Sequence, residues 1–145
     1  MVKFVYGNIF ASKCKCLVNA ANCVGVMGKG IALQFKQLFP NMYMDYYVRC
    51  KLKKINIGQP YVYNENNKQI LNFPTKQHWH DKSQLSDIVQ GLIYFVNNYV
   101  QMGITSIAFP ALGCGCGGLE WKDVKPEMIK YLGNLPIMIE IYAPL

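Results

Sequence analysis

Ser106-Ile107-Ala108-Phe109-Pro110-Ala111-Leu112 runs straight into Gly113-Cys114-Gly115-Cys116-Gly117-Gly118, and Trp121-Lys122-Asp123-Val124 follows. The first segment is an apolar run and reads as a buried strand. The last reads as the opening of a helix. The glycines between them let the backbone turn where side chains would clash, and they leave N–H groups bare for close approach by a ligand. In an α/β sheet the carboxyl end of a strand is where anionic ligands usually sit, so the loop suggests a phosphate or pyrophosphate pocket. A glycine turn can also be a plain connection, and a second one earlier in the chain gives the first its weight. There Cys16-Leu17-Val18-Asn19-Ala20 reads as a strand and Val24 to Gly30 as a glycine-punctuated loop. Ile31, Phe35, Leu38 and Phe39 then fall on one helical face at offsets of 4, 7 and 8.

The same alternation extends in both directions. Val2 to Tyr6 reads as a first strand. Pro40 stops the helix begun at Ile31, and a further helix is expected from about Met42 to Lys53. Pro60 to Tyr63 and Gln69 to Phe73 read as strands around the polar turn Asn64-Glu65-Asn66-Asn67. Leu85, Ile88, Val89, Leu92, Phe95, Val96 and Tyr99 repeat at helical spacing, with Gly103 as a stop. A helix from about Lys122 to Leu132 and a strand from Ile137 to Tyr142 close the chain. The expected fold is α/β, a three-layer α/β/α domain whose central sheet is mixed but mostly parallel.

Bulk properties narrow the function classes. The 145 residues fit one domain, and 52% hydrophobic content excludes a disordered chain. No apolar run reaches the roughly 18 residues of a membrane span. The first residues lack a signal-peptide core, so a cytoplasmic, reduced protein is expected, with its six cysteines as thiols. Cys14 and Cys16, like Cys114 and Cys116, match no common zinc spacing, and no metal is expected. The net charge of +7 favours an anionic partner, a nucleotide or a nucleic acid. Arg49-Cys50-Lys51-Leu52-Lys53-Lys54 reads as a solvated helix end, with phosphate-backbone contact as the alternative.

Candidate chemistry lies in three segments at strand ends. Asn19 to Gly30 ends at a helix start, whose free N–H groups suit an anion, although the Gly-Lys-Ser/Thr ending of a Walker loop is missing. Within it, Asn22 reads either as an asparagine turn or as a donor to a sugar hydroxyl. Asn72-Phe73-Pro74-Thr75-Lys76-Gln77-His78-Trp79-His80 places a lysine directly after a buried strand; it reads either as a solvated surface charge or as a nucleophilic amine in the crevice, and the flanking Trp79, His78 and His80 favour a nucleotide-facing site. Gly113 to Gly118 is the third. There is no Ser-His-Asp arrangement and no evident carboxylate pair; acidic residues number only eight.

These segments together resemble a macrodomain, the ADP-ribose-binding fold. Asn19 to Pro40, Asn72 to Trp79, the helix through Gly91-Leu92, and Pro110 to Trp121 are similar to the DarG-type DNA ADP-ribosyl glycohydrolases. Those are antitoxins whose partner toxins ADP-ribosylate thymidine in single-stranded DNA. The resemblance covers nearly the whole chain and implies a single macrodomain over residues 1–145. It implies that Lys76 attacks the anomeric carbon of the distal ribose, displacing the linked group, and that Asn22 lies near that ribose and the base. Gly28, Lys29, Gly30 and Ile31 would form a first phosphate loop. Gly113, Cys114, Gly115, Cys116 and Gly117 would form a second. Asn8 stands where many macrodomains carry an adenine-binding aspartate. Ile9, Thr75 and Leu112 complete the implied ADP-ribose contacts.

The implied function is removal of ADP-ribose from thymidine bases of DNA, with no cofactor and with ADP-ribose as ligand or product. The implied partners are ADP-ribosylated DNA and a cognate DNA ADP-ribosyltransferase toxin, with the chain itself a monomer. Alternatives are a glycohydrolase of ADP-ribosylated protein or O-acetyl-ADP-ribose, a non-catalytic ADP-ribose reader, and an ordinary phosphate-binding protein. The eukaryotic terminal ADP-ribose protein glycohydrolase shares the Thr-Lys and Gly-Cys-Gly elements, but it pairs its lysine with an aspartate in the second loop. The aligned position here is Gly117, which favours the DNA-directed branch.

Overall fold

The computed structural model describes residues 1–144. Six strands form one sheet in the order β1-β6-β5-β2-β4-β3. They are β1 (Val2–Val5), β2 (Cys16–Ala21), β3 (Tyr61–Glu65), β4 (Lys68–Pro74), β5 (Ser106–Pro110) and β6 (Met138–Tyr142). All neighbours are parallel except β3, which runs antiparallel to β4 at one edge. That exception follows from the turn. Asn66 and Asn67 both adopt positive φ, 53° and 60°, the geometry of a two-residue hairpin whose twist matches its strands. The expected mixed, mostly parallel sheet is therefore what forms.

The helices are α1 (Gly30–Leu38), α2 (Pro40–Lys51), α3 (Leu85–Asn98) and α4 (Trp121–Leu132). They divide between the two faces of the sheet because side chains alternate along each strand. On β5, Ile107 and Phe109 face a core shared with Ile88, Leu92 and Phe95 of α3 and with Val124 and Met128 of α4. Ala108 faces the opposite core, with Phe35 of α1 and Met42 and Tyr46 of α2. Burial on both faces explains why the central strands read as unbroken apolar runs. Gly91 is required for close packing: a Cβ there would collide with the ring of Phe73 on β4.

Some boundaries differ from the reading of the sequence. The second helix starts at Pro40 rather than Met42, because proline at the first helical position lacks only an N–H that the helix would not use. Residues Ile9–Ala11 form a 3₁₀ turn with Asn8 at its N-cap, which the sequence did not signal. Pro126 sits within α4 on its exposed side.

Parallel pairing sets the carboxyl ends of β6, β5, β2 and β4 along one edge of the sheet. That edge carries Tyr142, Pro110, Ala21 and Pro74 and the loops that follow the inner strands.

Candidate functional site

The ends of β2 and β4 stay tied beyond the strands. Thr75 N–H donates to the Ala21 carbonyl at 2.8 Å, and Cys23 N–H donates to the Gln77 carbonyl at 2.9 Å. The segment bearing Lys76 is thereby fixed against the start of the first glycine loop. Asn22 organises that loop. Its Oδ1 accepts from Val24 N–H at 3.0 Å and lies 2.7 Å from the Tyr46 hydroxyl, while its Nδ2 donates to the Val26 carbonyl at 2.6 Å. The asparagine-turn reading thus describes the geometry, and one amide N–H remains for a ligand. Burial pushes the Tyr46 hydroxyl above the usual tyrosine range, so it stays a donor.

The first loop delivers the N-terminus of α1. Lys29 is its N-cap and makes no side-chain cap bond, and Gly30 takes φ +57°. The leading N–H groups of that helix have no intrahelical acceptor, and with the helix dipole they attract an anion.

The second loop, Gly113 to Gly118, folds on itself. Leu119 N–H donates to the Gly113 carbonyl at 2.9 Å, and Ser83 N–H donates to the Gly117 carbonyl at 2.9 Å. Gly113 takes φ +74°, a conformation other residues rarely hold. At Gly117 the constraint is space: a Cβ would collide with the Ser83 hydroxyl and lie 2.5 Å from the Gly113 carbonyl oxygen. An aspartate cannot occupy this position without displacing the loop. The two loops approach each other, with Cys116 Sγ 4.0 Å from where a Cβ on Gly30 would sit.

Between them lies a cavity of about 580 Å³, lined mainly by apolar surface. That size and lining suit a small-molecule ligand held by a few polar groups. Lys76 is only 9% exposed, and its Nζ donates to the Cys116 carbonyl at 3.4 Å. The ion pairs among the described residues join Arg49 to Asp45, His80 to Asp81 and Lys122 to Glu120, so no carboxylate pairs with Lys76. The arrangement offers one buried amine beside two backbone anion cradles.

Most of the residues named from the sequence meet here. Asn22, Gly28, Lys29, Gly30 and Ile31 line the cavity from the first loop, and Thr75 and Lys76 from the end of β4. Gly113, Cys114, Gly115, Cys116 and Gly117 line it from the second loop. Asn8, Ile9 and Leu112 are not among the lining residues. Asn8 is exposed and its Oδ1 accepts from Phe10 N–H, while Ile9 and Leu112 are buried in the two cores.

Val26 and Trp79, from two of the candidate segments, also line the cavity, and the structure adds Tyr142 and Pro144, brought in because the last strand lies beside β5. The rule that ligands gather at strand carboxyl ends could have pointed to Tyr142. The cysteines are all free thiols, and burial pushes Cys23 up to about 11 and Cys114 upward. Among the described residues no group of three His, Cys, Asp or Glu could hold a metal, and no helix is long and apolar enough to cross a membrane.

The Macro domain family model matches residues 18–128. The macrodomain of Mycobacterium tuberculosis DarG superposes with a TM-score of 0.96 at 41% identity, covering 100% of this chain and 99% of that one. Thermosipho africanus DarTG in complex with ADP-ribose matches with a TM-score of 0.94 at 42% identity, over 99% of this chain and 42% of that chain. The curated DNA ADP-ribosyl glycohydrolase of M. tuberculosis is 41% identical over 149 residues, which is 99% of this chain and 42% of that protein. The chain thus spans less than half the length of the curated DNA ADP-ribosyl glycohydrolases it matches.

Proposed function

This chain belongs to the Macro domain family, and from that membership we propose that it removes ADP-ribose from thymidine bases of single-stranded DNA. The observation that carries the reading is the Lys76 amine, buried in the same cavity as two backbone anion cradles. The α1 N-terminus and the Gly113–Gly118 loop would hold the pyrophosphate. This sets the distal ribose before Lys76, with the spare N–H of Asn22 available to it.

In the proposed reaction the Lys76 nitrogen bonds to the anomeric carbon as the bond from that carbon to the base breaks. The amine gives up a proton and the departing base takes one. The ribose ring then opens, its ring oxygen taking the remaining proton on nitrogen, so that the anomeric carbon and Lys76 share an imine; water adds to it, releasing ADP-ribose and restoring the amine.

Two observations favour DNA over a protein substrate. Relatives at this identity carry the name DNA ADP-ribosyl glycohydrolase. The packing of Ser83 on Gly117 leaves no room for the second-loop carboxylate of the protein-directed enzyme. The proposed partner is a DNA ADP-ribosyltransferase, since the Thermosipho africanus relative is named as a fusion of such a transferase with the glycohydrolase.

The test compares ADP-ribose release from a single-stranded oligonucleotide carrying ADP-ribosylated thymidine with release from glutamate-ADP-ribosylated protein. Faster release from DNA is expected. Release from protein alone would overturn the reading.

A further inference from the structure

Trp79 is 55% exposed, yet it lines the cavity. A half-exposed indole contributes little to a core, and here it stands three residues beyond the buried Lys76. Its backbone is held firmly. His78 N–H donates to Asp81 Oδ2 at 3.1 Å, and Asp81 N–H returns to the His78 carbonyl at 3.1 Å, closing a turn around Trp79 and His80. Gln77 anchors the same turn through Cys23.

The rings form one group. His78 and His80 stack with centroids 5.4 Å apart and planes 29° apart, and Trp79 meets His80 nearly perpendicular, at 5.2 Å and 82°. Among the described residues Trp79 pairs with no ring other than His80, and more than half of its surface is exposed where it lines the cavity.

We propose that Trp79, backed by His78 and His80, is a stacking platform for the nucleobase carried into the cavity mouth by single-stranded DNA. The proposal rests on the DNA reading above. A base joined to the ribose at Lys76 belongs to a strand that must cross the mouth of the cavity, because the cavity has room for a ligand and not for a strand. An aromatic face holds such a base without selecting sequence, since every base has a π-face, and neighbouring cations hold its phosphates. Lys29 is exposed and lines the cavity from the first loop, and Lys82 is exposed just after the aromatic turn in the chain. Asp81 is the one carboxylate in that turn, and it is occupied with His78 N–H and faces His80. Indole and imidazole rings on a pinned turn fit a nucleobase better than an aliphatic ligand, whose burial would not need flat faces.

The platform is tested with a single-stranded oligonucleotide carrying one ADP-ribosylated thymidine. Trp79→Ala is expected to raise KM for that substrate about tenfold, the scale of one lost base–aromatic stack, while Trp79→Phe stays within about threefold of wild type. The affinity of Trp79→Ala for free ADP-ribose, by calorimetry, is expected to stay within about threefold of wild type. Equal losses for oligonucleotide and free ADP-ribose would assign Trp79 to the ADP-ribose pocket and overturn the platform. So would an unchanged KM.

A second readout does not depend on turnover. In Lys76→Ala, tryptophan fluorescence should be quenched by the modified oligonucleotide and not by ADP-ribose alone, and the additional Trp79→Phe change should abolish the quench. If wild type fails to cleave the oligonucleotide, the DNA reading falls, and this quench still decides the platform. A quench that persists without Trp79, or none at all, overturns it.

Discussion

Ser83 fixes Gly117 twice over: its N–H donates to the Gly117 carbonyl at 2.9 Å, and its hydroxyl fills the space a Cβ at 117 would need. Any side chain at 117 therefore displaces either the second loop or the segment leading into α3. Gly117→Ala should lower the melting temperature by several degrees, consistent with about 1–3 kcal/mol of overpacking, and reduce affinity for ADP-ribose. Differential scanning calorimetry and binding calorimetry check both. Gly117→Asp should do the same without conferring activity on ADP-ribosylated protein.

Asn22 and Tyr46 form the brace behind the first loop. Removing the Asn22 carboxamide leaves Val24 N–H and the Val26 carbonyl without their partners. Asn22→Ala should cost about 1–3 kcal/mol in denaturant unfolding and weaken ADP-ribose binding. Tyr46→Phe keeps the carboxamide and removes one hydroxyl donor, so its effect on stability should be smaller, about 1 kcal/mol, with binding largely retained.

Stability should fall in alkali. Burial raises the Cys23 thiol from 9.0 to about 11, and it pushes Cys16 higher still. Between those values the unfolded chain releases thiol protons that the folded chain keeps, so unfolding gains free energy as pH rises. The contribution is fully present below about pH 9 and is lost progressively as pH climbs towards 11. Unfolding midpoints from pH 7 to 10.5 should be level and then decline, and Cys23→Ala should shallow the decline.

Cys116 is the exposed thiol of the second loop, while Cys14, Cys16 and Cys23 are buried. Iodoacetamide should alkylate Cys116 first, as mapped by mass spectrometry, and ADP-ribose should slow it. Alkylation should block ligand entry, since the sulfur faces the Gly30 turn. Cys116→Ser should bind ADP-ribose and resist inactivation.

What the sequence made legible was local. The apolar runs of β2, β4 and β5 betray burial on both faces, and glycine at 28, 113 and 115 marks loops whatever packs around them, with Gly30 at the first position of α1. The end of a buried strand makes Lys76 a candidate beside the plainer reading of a solvated charge, and the resemblance of Asn72 to Trp79 to a macrodomain gives it its implied role. Relations across the chain were not visible. Nothing near Ser83 signals that its hydroxyl governs residue 117, and although Tyr142 ends a strand, nothing near it signals that this strand lies beside β5. Asn22 reads equally as a turn or a ligand contact in the sequence because its partner Tyr46 lies far along the chain, in α2. Asn8 carried its implied adenine role by position alone, and locally it is a cap.

The central claim is that Lys76 is the nucleophile. Its most direct test is turnover of an ADP-ribosylated single-stranded oligonucleotide by wild type and Lys76→Ala, with cyanoborohydride present in a parallel reaction. Wild type should release ADP-ribose and yield a reduced adduct mapped to Lys76. Lys76→Ala should lose at least about a hundredfold in rate while still binding ADP-ribose. Turnover by Lys76→Ala at the wild-type rate would contradict a lysine nucleophile.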